Sequence, residues 1–187
     1  FNGDNYSAEW RAEAARRGLP NAASTPEAIE AMNCKETYEV FAKYGVLSRR
    51  ETESRFEIYQ EKYVKDVLIE ARLCLSMART MIFPAGVKYQ QLLAQTAASL
   101  ATIGKTACTT TLDEVDALLG KLQKAMLVLE DAVTVPDGLS HSQQCRYLVG
   151  SVIPVMNDLR KVADALEHIC ADELWPLPTY QEMLFIR

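Results

Sequence analysis

Glycine-rich loops are missing from this sequence. Its eight glycines stand singly, and no G-x-x-x-x-G-K, G-x-G-x-x-G or G-x-S-x-G occurs, so the common phosphate cradles and the nucleophile elbow have no support. Histidine is scarce as well: His141 and His168 are the two in the chain. Neither has a Cys, Asp or Glu at metal-ligand spacing on a shared face, which argues against a zinc site. No uninterrupted apolar run approaches the length of a membrane span, and the opening FNGDNYSAEW lacks the basic-then-apolar pattern of a secretory signal. Basic residues are not in excess either. A formal charge of -5 is the wrong sign for a general nucleic-acid binder, which needs clustered Lys and Arg to neutralise phosphates. The expectation is a cytoplasmic protein that binds neither nucleic acid nor membrane.

What the chain has is an ordinary globular composition, with 49% hydrophobic and 24% charged residues over 187 positions. That suffices for one domain with a real core and excludes a largely disordered chain. The five cysteines, Cys34, Cys74, Cys108, Cys145 and Cys170, are odd in number and widely spaced. They read as reduced packing residues, mostly inaccessible. The absence of an initiator Met at Phe1 makes a piece of a longer polypeptide the expectation.

Strand-like alternation is nearly absent and helix-start signals recur. Asn33-x-x-Glu36, Ser48-x-x-Glu51, Thr111-x-x-Glu114, Ser140-x-x-Gln143 and Thr179-x-x-Glu182 each offer a capping side chain and a reciprocal acid or amide. Ser7 before AEW, and Thr25 with Pro26 at the first helical position, add two more starts. The helix from Ser48 carries one stripe of Phe56, Tyr59, Tyr63, Val67, Cys74, Met77 and Met81, beside a second of Val64, Leu68, Ala71, Leu75, Ala78 and Ile82. Burial should deepen toward Pro84, where the ring should kink or restart the helix.

From Leu112 the apolar residues Leu112, Val115, Leu119, Leu122, Met126, Leu129 and Val133 repeat at three-four spacing. Cys145, Val149, Val152, Met156, Leu159, Ala163, Leu166 and Cys170 repeat it, with a kink expected at Pro154. The turn between the two seams is VPDG, Val135 to Gly138. Two such seams make an antiparallel helical hairpin. The fold expected is all-α: an antiparallel helical bundle with long kinked helices over residues 48–187, preceded by a small helical appendage or linker over residues 1–47.

Candidate chemistry is thin. Glu70 falls within the apolar arc of the long helix. It reads as a functional carboxylate with a raised pKa or, more simply, as a structural Glu paired with Arg146 or Arg160. Met77, Met81, Met126 and Met156 read as core filler before they read as an adaptable groove. The ending does stand out. Trp175-Pro176-Leu177-Pro178 forces an extended run, and Thr179 then caps a last short helix. Such a terminus ties itself down, either onto its own bundle or onto another domain or subunit.

Several phrases carry a resemblance that these rules do not. WPLPTYQEMLFI, SRFEIYQEKYVKDVLIEA with IFPAGVKYQ, VIPVMNDLRKVADALE and FNGDNYSAEWRAEAARRGLPN resemble the C-terminal region of type III glutamine synthetase, in the same order and over essentially the whole chain. The resemblance implies a ligase of nitrogen metabolism that joins ammonia to glutamate through a γ-glutamyl phosphate. It also implies ATP, and magnesium or manganese held by carboxylates of a catalytic core. No position here matches that family's catalytic, cofactor-binding or metal-binding motifs, so none is carried over. The partners implied are the catalytic core of the same polypeptide and further copies in a homo-oligomer. The role implied is non-catalytic support of core or assembly. The alternative is a free-standing helical interaction module.

Overall fold

Ser48 and Glu51 open the longest helix as a reciprocal pair. The Glu51 carboxylate accepts the Ser48 N–H at 2.7 Å, and the Ser48 hydroxyl accepts the Glu51 N–H at 3.3 Å. In the computed structural model, which describes residues 3–178 and 180–184, every regular element is helical and no strand occurs among the described residues. The order is α1 (Ala8–Arg16), α2 (Thr25–Glu30), α3 (Lys35–Lys43), α4 (Arg49–Met77), α5 (Phe83–Thr102), α6 (Thr110–Ala132), α7 (His141–Tyr147), α8 (Ile153–Glu167) and α9 (Tyr180–Leu184). The chain is all-α, as expected.

By internal contacts the chain divides inside α4. The chain up to Val64 with Ser140–Cys145 forms one unit, and Lys65–Leu139 with the chain from Arg146 forms the other. That division falls within a helix, whereas the sequence reading draws its boundary at Ser48.

The second unit is organised around α6. Val115, Leu119, Leu122, Met126 and Leu129 are all buried along it, as the three-four spacing predicts, and α6 packs against both α5 and α8. The hairpin turn reverses at Gly138, whose φ of 80° is a conformation that side chains with a Cβ rarely adopt. Beyond it the Tyr147 hydroxyl donates to the Ala132 carbonyl at 3.0 Å, which satisfies a C-terminal carbonyl of α6. Close approach of α5 depends on Gly86, since a Cβ there would lie 2.7 Å from Leu119 Cδ2 and 3.8 Å from Leu166 Cδ2.

Pro84 and Pro154 restart their helices through wide turns. A π-helical turn spans Ala78–Ile82 and another spans Leu148–Val152, each ending two residues before its proline. In each, the N–H just before the proline reaches five residues back, Phe83 to the Ala78 carbonyl and Ile153 to the Leu148 carbonyl. A proline has no N–H to give and crowds the carbonyl four residues earlier, so a wider turn relieves the clash. The wide turn takes more residues per revolution, which corrects the expected seam: Leu148 is fully buried and Val149 only half-buried. Val152, Leu159 and Leu166 continue the seam on the expected phase.

The long helix also needs correcting. Its buried positions are Thr52, Phe56, Gln60, Val64, Val67, Ala71, Leu75, Ala78 and Ile82. This is chiefly the second stripe extended upstream through two polar residues, and burial does not deepen toward Pro84. Tyr59 and Met81 are exposed, while Tyr63, Cys74 and Met77 are half-buried. Some caps also move. α3 begins after Cys34 with no side-chain cap, and Asn33 instead accepts the Tyr38 hydroxyl. α2 is capped by Ser24 rather than Thr25, and α6 begins after Thr109, whose hydroxyl bonds Asp113 at 3.1 Å, rather than at Thr111. Ser7 and Ser140 cap as expected. The Thr179 cap lies outside the described residues.

Candidate functional site

In the first unit the polar residues meet at one place. Gln60, 1% exposed, donates its amide to the Ser142 hydroxyl at 2.7 Å and accepts from that hydroxyl at 3.0 Å. One turn earlier, Glu57 lies 3.2 Å from His141 Nδ1, and the buried Cys145 thiol donates to the Gln60 carbonyl at 3.6 Å. The arrangement holds the start of α7 on α4 with a buried amide whose partner is supplied, as burial of a polar group requires. It ties two helices together and holds no free nucleophile, since both sides of the amide are engaged. Sequence reasoning passed over Gln60, although it stands one turn after Phe56 and one turn before Val64 in the apolar seam.

The expected carboxylate is elsewhere. Glu70 is exposed, immediately before buried Ala71 and therefore off the seam. The ion pairs of the described residues do not join it to Arg146 or Arg160; Arg160 lies 3.4 Å from Asp164 instead. Glu70 sits near Cys74, where burial first and the Glu70 charge second push the thiol pKa up. Of the methionines, Met126 is core, Met77 and Met156 are half-buried and Met81 is exposed. His168 Nδ1 donates to the Asp164 carbonyl at 2.6 Å, capping the end of α8.

All five cysteines are free. Cys145 is buried, Cys34, Cys74 and Cys170 are intermediate, and Cys108 is exposed, which corrects the expectation of mostly inaccessible thiols. Cys108 lies just before the α6 N-terminus, where the Thr110 hydroxyl and then its backbone N–H hold the thiol pKa below its ordinary value. Beside it, Leu93, Ala97, Leu100, Thr111 and Leu112 line a cavity of about 130 Å³. An open hollow of about 700 Å³ also runs along the start of α4, by Arg50, Ser54, Arg55 and Tyr59.

The start of the tail packs on its own unit, whereas Met183 and Leu184 of α9 are exposed. A short 3-10 turn at Asp172–Leu174 lies against α5, and Trp175, Pro176 and Leu177 are half-buried. The Trp175 indole N–H is buried with no acceptor among the described residues. Along the rest of α5 no charged residue occurs after Lys88, and Leu92 is 47% exposed; Ile103, which follows the helix, is 67% exposed.

The family described as "Glutamine synthetase C-terminal domain" matches residues 1–101, more than half of the chain. The chain belongs to the glutamine synthetase C-terminal domain family. It is 34% identical over its whole length to a type-3 glutamine synthetase of Dictyostelium discoideum. It is 30% identical over 99% of its length to a glutamine synthetase of Butyrivibrio fibrisolvens, and 28% identical over its whole length to one of Bacteroides fragilis strain YCH46. The chain spans about a quarter of the length of these relatives, 27% in each case. The matched residues 1–101 contain α1 to α4 and nearly all of α5, including its uncharged face. The hairpin of α6 and α8 is covered by the three relatives and not by the family match.

Magnesium or manganese is tested against the donors present. Among the described residues no three His, Cys, Asp or Glu side chains converge to hold a metal ion, so the described residues do not fit one. No helix among the described residues is long and apolar enough to cross a membrane.

Proposed function

We propose that this domain serves, within a longer polypeptide, an ATP-dependent glutamine synthetase that joins ammonia to glutamate with magnesium or manganese, and that it supports that enzyme rather than performing its chemistry. The observation that carries this reading is the match of essentially the whole chain to three synthetases of which it makes up 27%. The partners are the catalytic core of the same polypeptide and other copies of it in a cytoplasmic homo-oligomer, with no nucleic acid and no membrane. The uncharged exposed face of α5 suits such contacts, because burying it leaves no charge to desolvate.

A direct assay tests the reading. The isolated chain, supplied with glutamate, ATP, ammonia and magnesium, is expected to form no glutamine. Turnover by the chain alone would overturn the supporting role.

A further inference from the structure

Residues 3–47 fold into three helices that contain almost no core. α1 buries Ala14, α2 buries Pro26, and α3 buries nothing. Five apolar side chains of the segment face outward, Tyr6 at 90%, Leu19 at 47%, Val40 at 51%, Tyr44 at 69% and Val46 at 59% exposure; Val40 is on α3 and the others flank the helices, while Trp10, Ile29, Tyr38 and Phe41 are half-buried. Val40 and Tyr44 stand one turn apart on one side of α3 and its end. Helices this short do not persist in water on propensity alone; they last when an apolar face is covered. The unit that these helices share with Arg49–Val64 and Ser140–Cys145 leaves those five side chains uncovered, and no disulfide staples it, since the cysteines of the chain are free.

We propose that α1–α3 are a docking segment whose exposed Tyr6, Leu19, Val40, Tyr44 and Val46 are covered by the portion of the synthetase polypeptide that precedes this domain. The inference rests on the function proposed above and adds the surface through which support is given. Two observations select this occupant over a second copy of the domain. The relatives are almost four times the length of this chain, so a large partner is joined to it covalently. The family is a C-terminal domain, so its first residues are the ones closest in sequence to that partner, where the tether makes contact intramolecular and the effective concentration high.

Hydrogen exchange of the 187-residue chain and of the full-length synthetase polypeptide carrying it tests this. Amides of Ala8–Arg16 and Lys35–Lys43 should exchange about 100-fold more slowly in the full-length protein, while those of α6 are protected in both. Equal exchange of α1 and α3 in the two proteins overturns the proposal. So does protection in the isolated chain that rises with its concentration, which would make a second copy the occupant. In the full-length protein Val40→Asp with Tyr44→Asp should abolish the added protection and leave α6 unchanged; retention of it also overturns the proposal. The supporting function fails separately, if deleting the whole domain leaves the enzyme intact. If that deletion is damaging but α1 and α3 exchange equally in both proteins, only the docking assignment fails.

Discussion

Cys108 and Cys145 have the same chemistry in opposite settings. Cys108 is exposed and its pKa is lowered by the Thr110 hydroxyl and N–H, so more of it is thiolate at a given pH. Native labelling with a chromogenic disulfide should modify Cys108 first, at a rate that rises below the pH where an ordinary thiol begins to react. Cys145, fully buried, should react only on unfolding. Rapid native reaction of Cys145 would contradict its placement. Glycine gives a second pair. Gly86→Ala puts a Cβ into Leu119, itself 5% exposed, and overpacking of about 1–3 kcal/mol should outweigh the helix propensity gained. Gly120 has nothing within 4 Å of its would-be Cβ, so Gly120→Ala should stabilise by about 0.5–1 kcal/mol. Thermal unfolding of the two variants should therefore shift Tm in opposite directions.

Among the elements, the seam of α6 was legible in the sequence though its cap was not, and α4 was legible only partly, for a physical reason. A seam of Val, Leu and Met announces itself by spacing. A seam containing Thr52 and Gln60 does not, because each is buried only through a bond to a specific acceptor or donor: the Ser48 carbonyl for Thr52, and Ser142, 82 residues away, for Gln60. The π turns were half legible. Pro84 and Pro154 marked where regularity breaks, but a proline alone does not say whether the helix kinks or widens, and the widening moved the buried position from Val149 to Leu148. The capping boxes at Ser48 and Ser140 were readable because both partners lie within one turn. The site was hardly legible: Glu70 drew attention by its angle yet lies outside the seam, while Gln60 was hidden among apolar neighbours. The pair Gln60–Ser142 supplies the test at this scale. Ser142→Ala leaves a buried amide without its partner and should cost about 1–3 kcal/mol, whereas Gln60→Leu combined with Ser142→Ala should cost less than the sum of the single changes. Strict additivity in denaturant titrations would show that the bond is not formed.

For the whole molecule, family and architecture point the same way. Among its described residues this helical domain has no converging metal donors, a stretch of α5 without charge after Lys88 and three short helices with few buried residues, features that suit the covering proposed above. Its relatives carry about three quarters of their length beyond it. We propose that this covering belongs to a synthetase whose assembly depends on it. The most direct measurement is the mass in solution, by light scattering, of the full-length enzyme with and without these 187 residues. The intact enzyme is expected to be a defined oligomer and the shortened one to aggregate or fall to smaller species, with glutamine synthesis lost along with assembly. A shortened enzyme of the same oligomeric state and undiminished activity would contradict it.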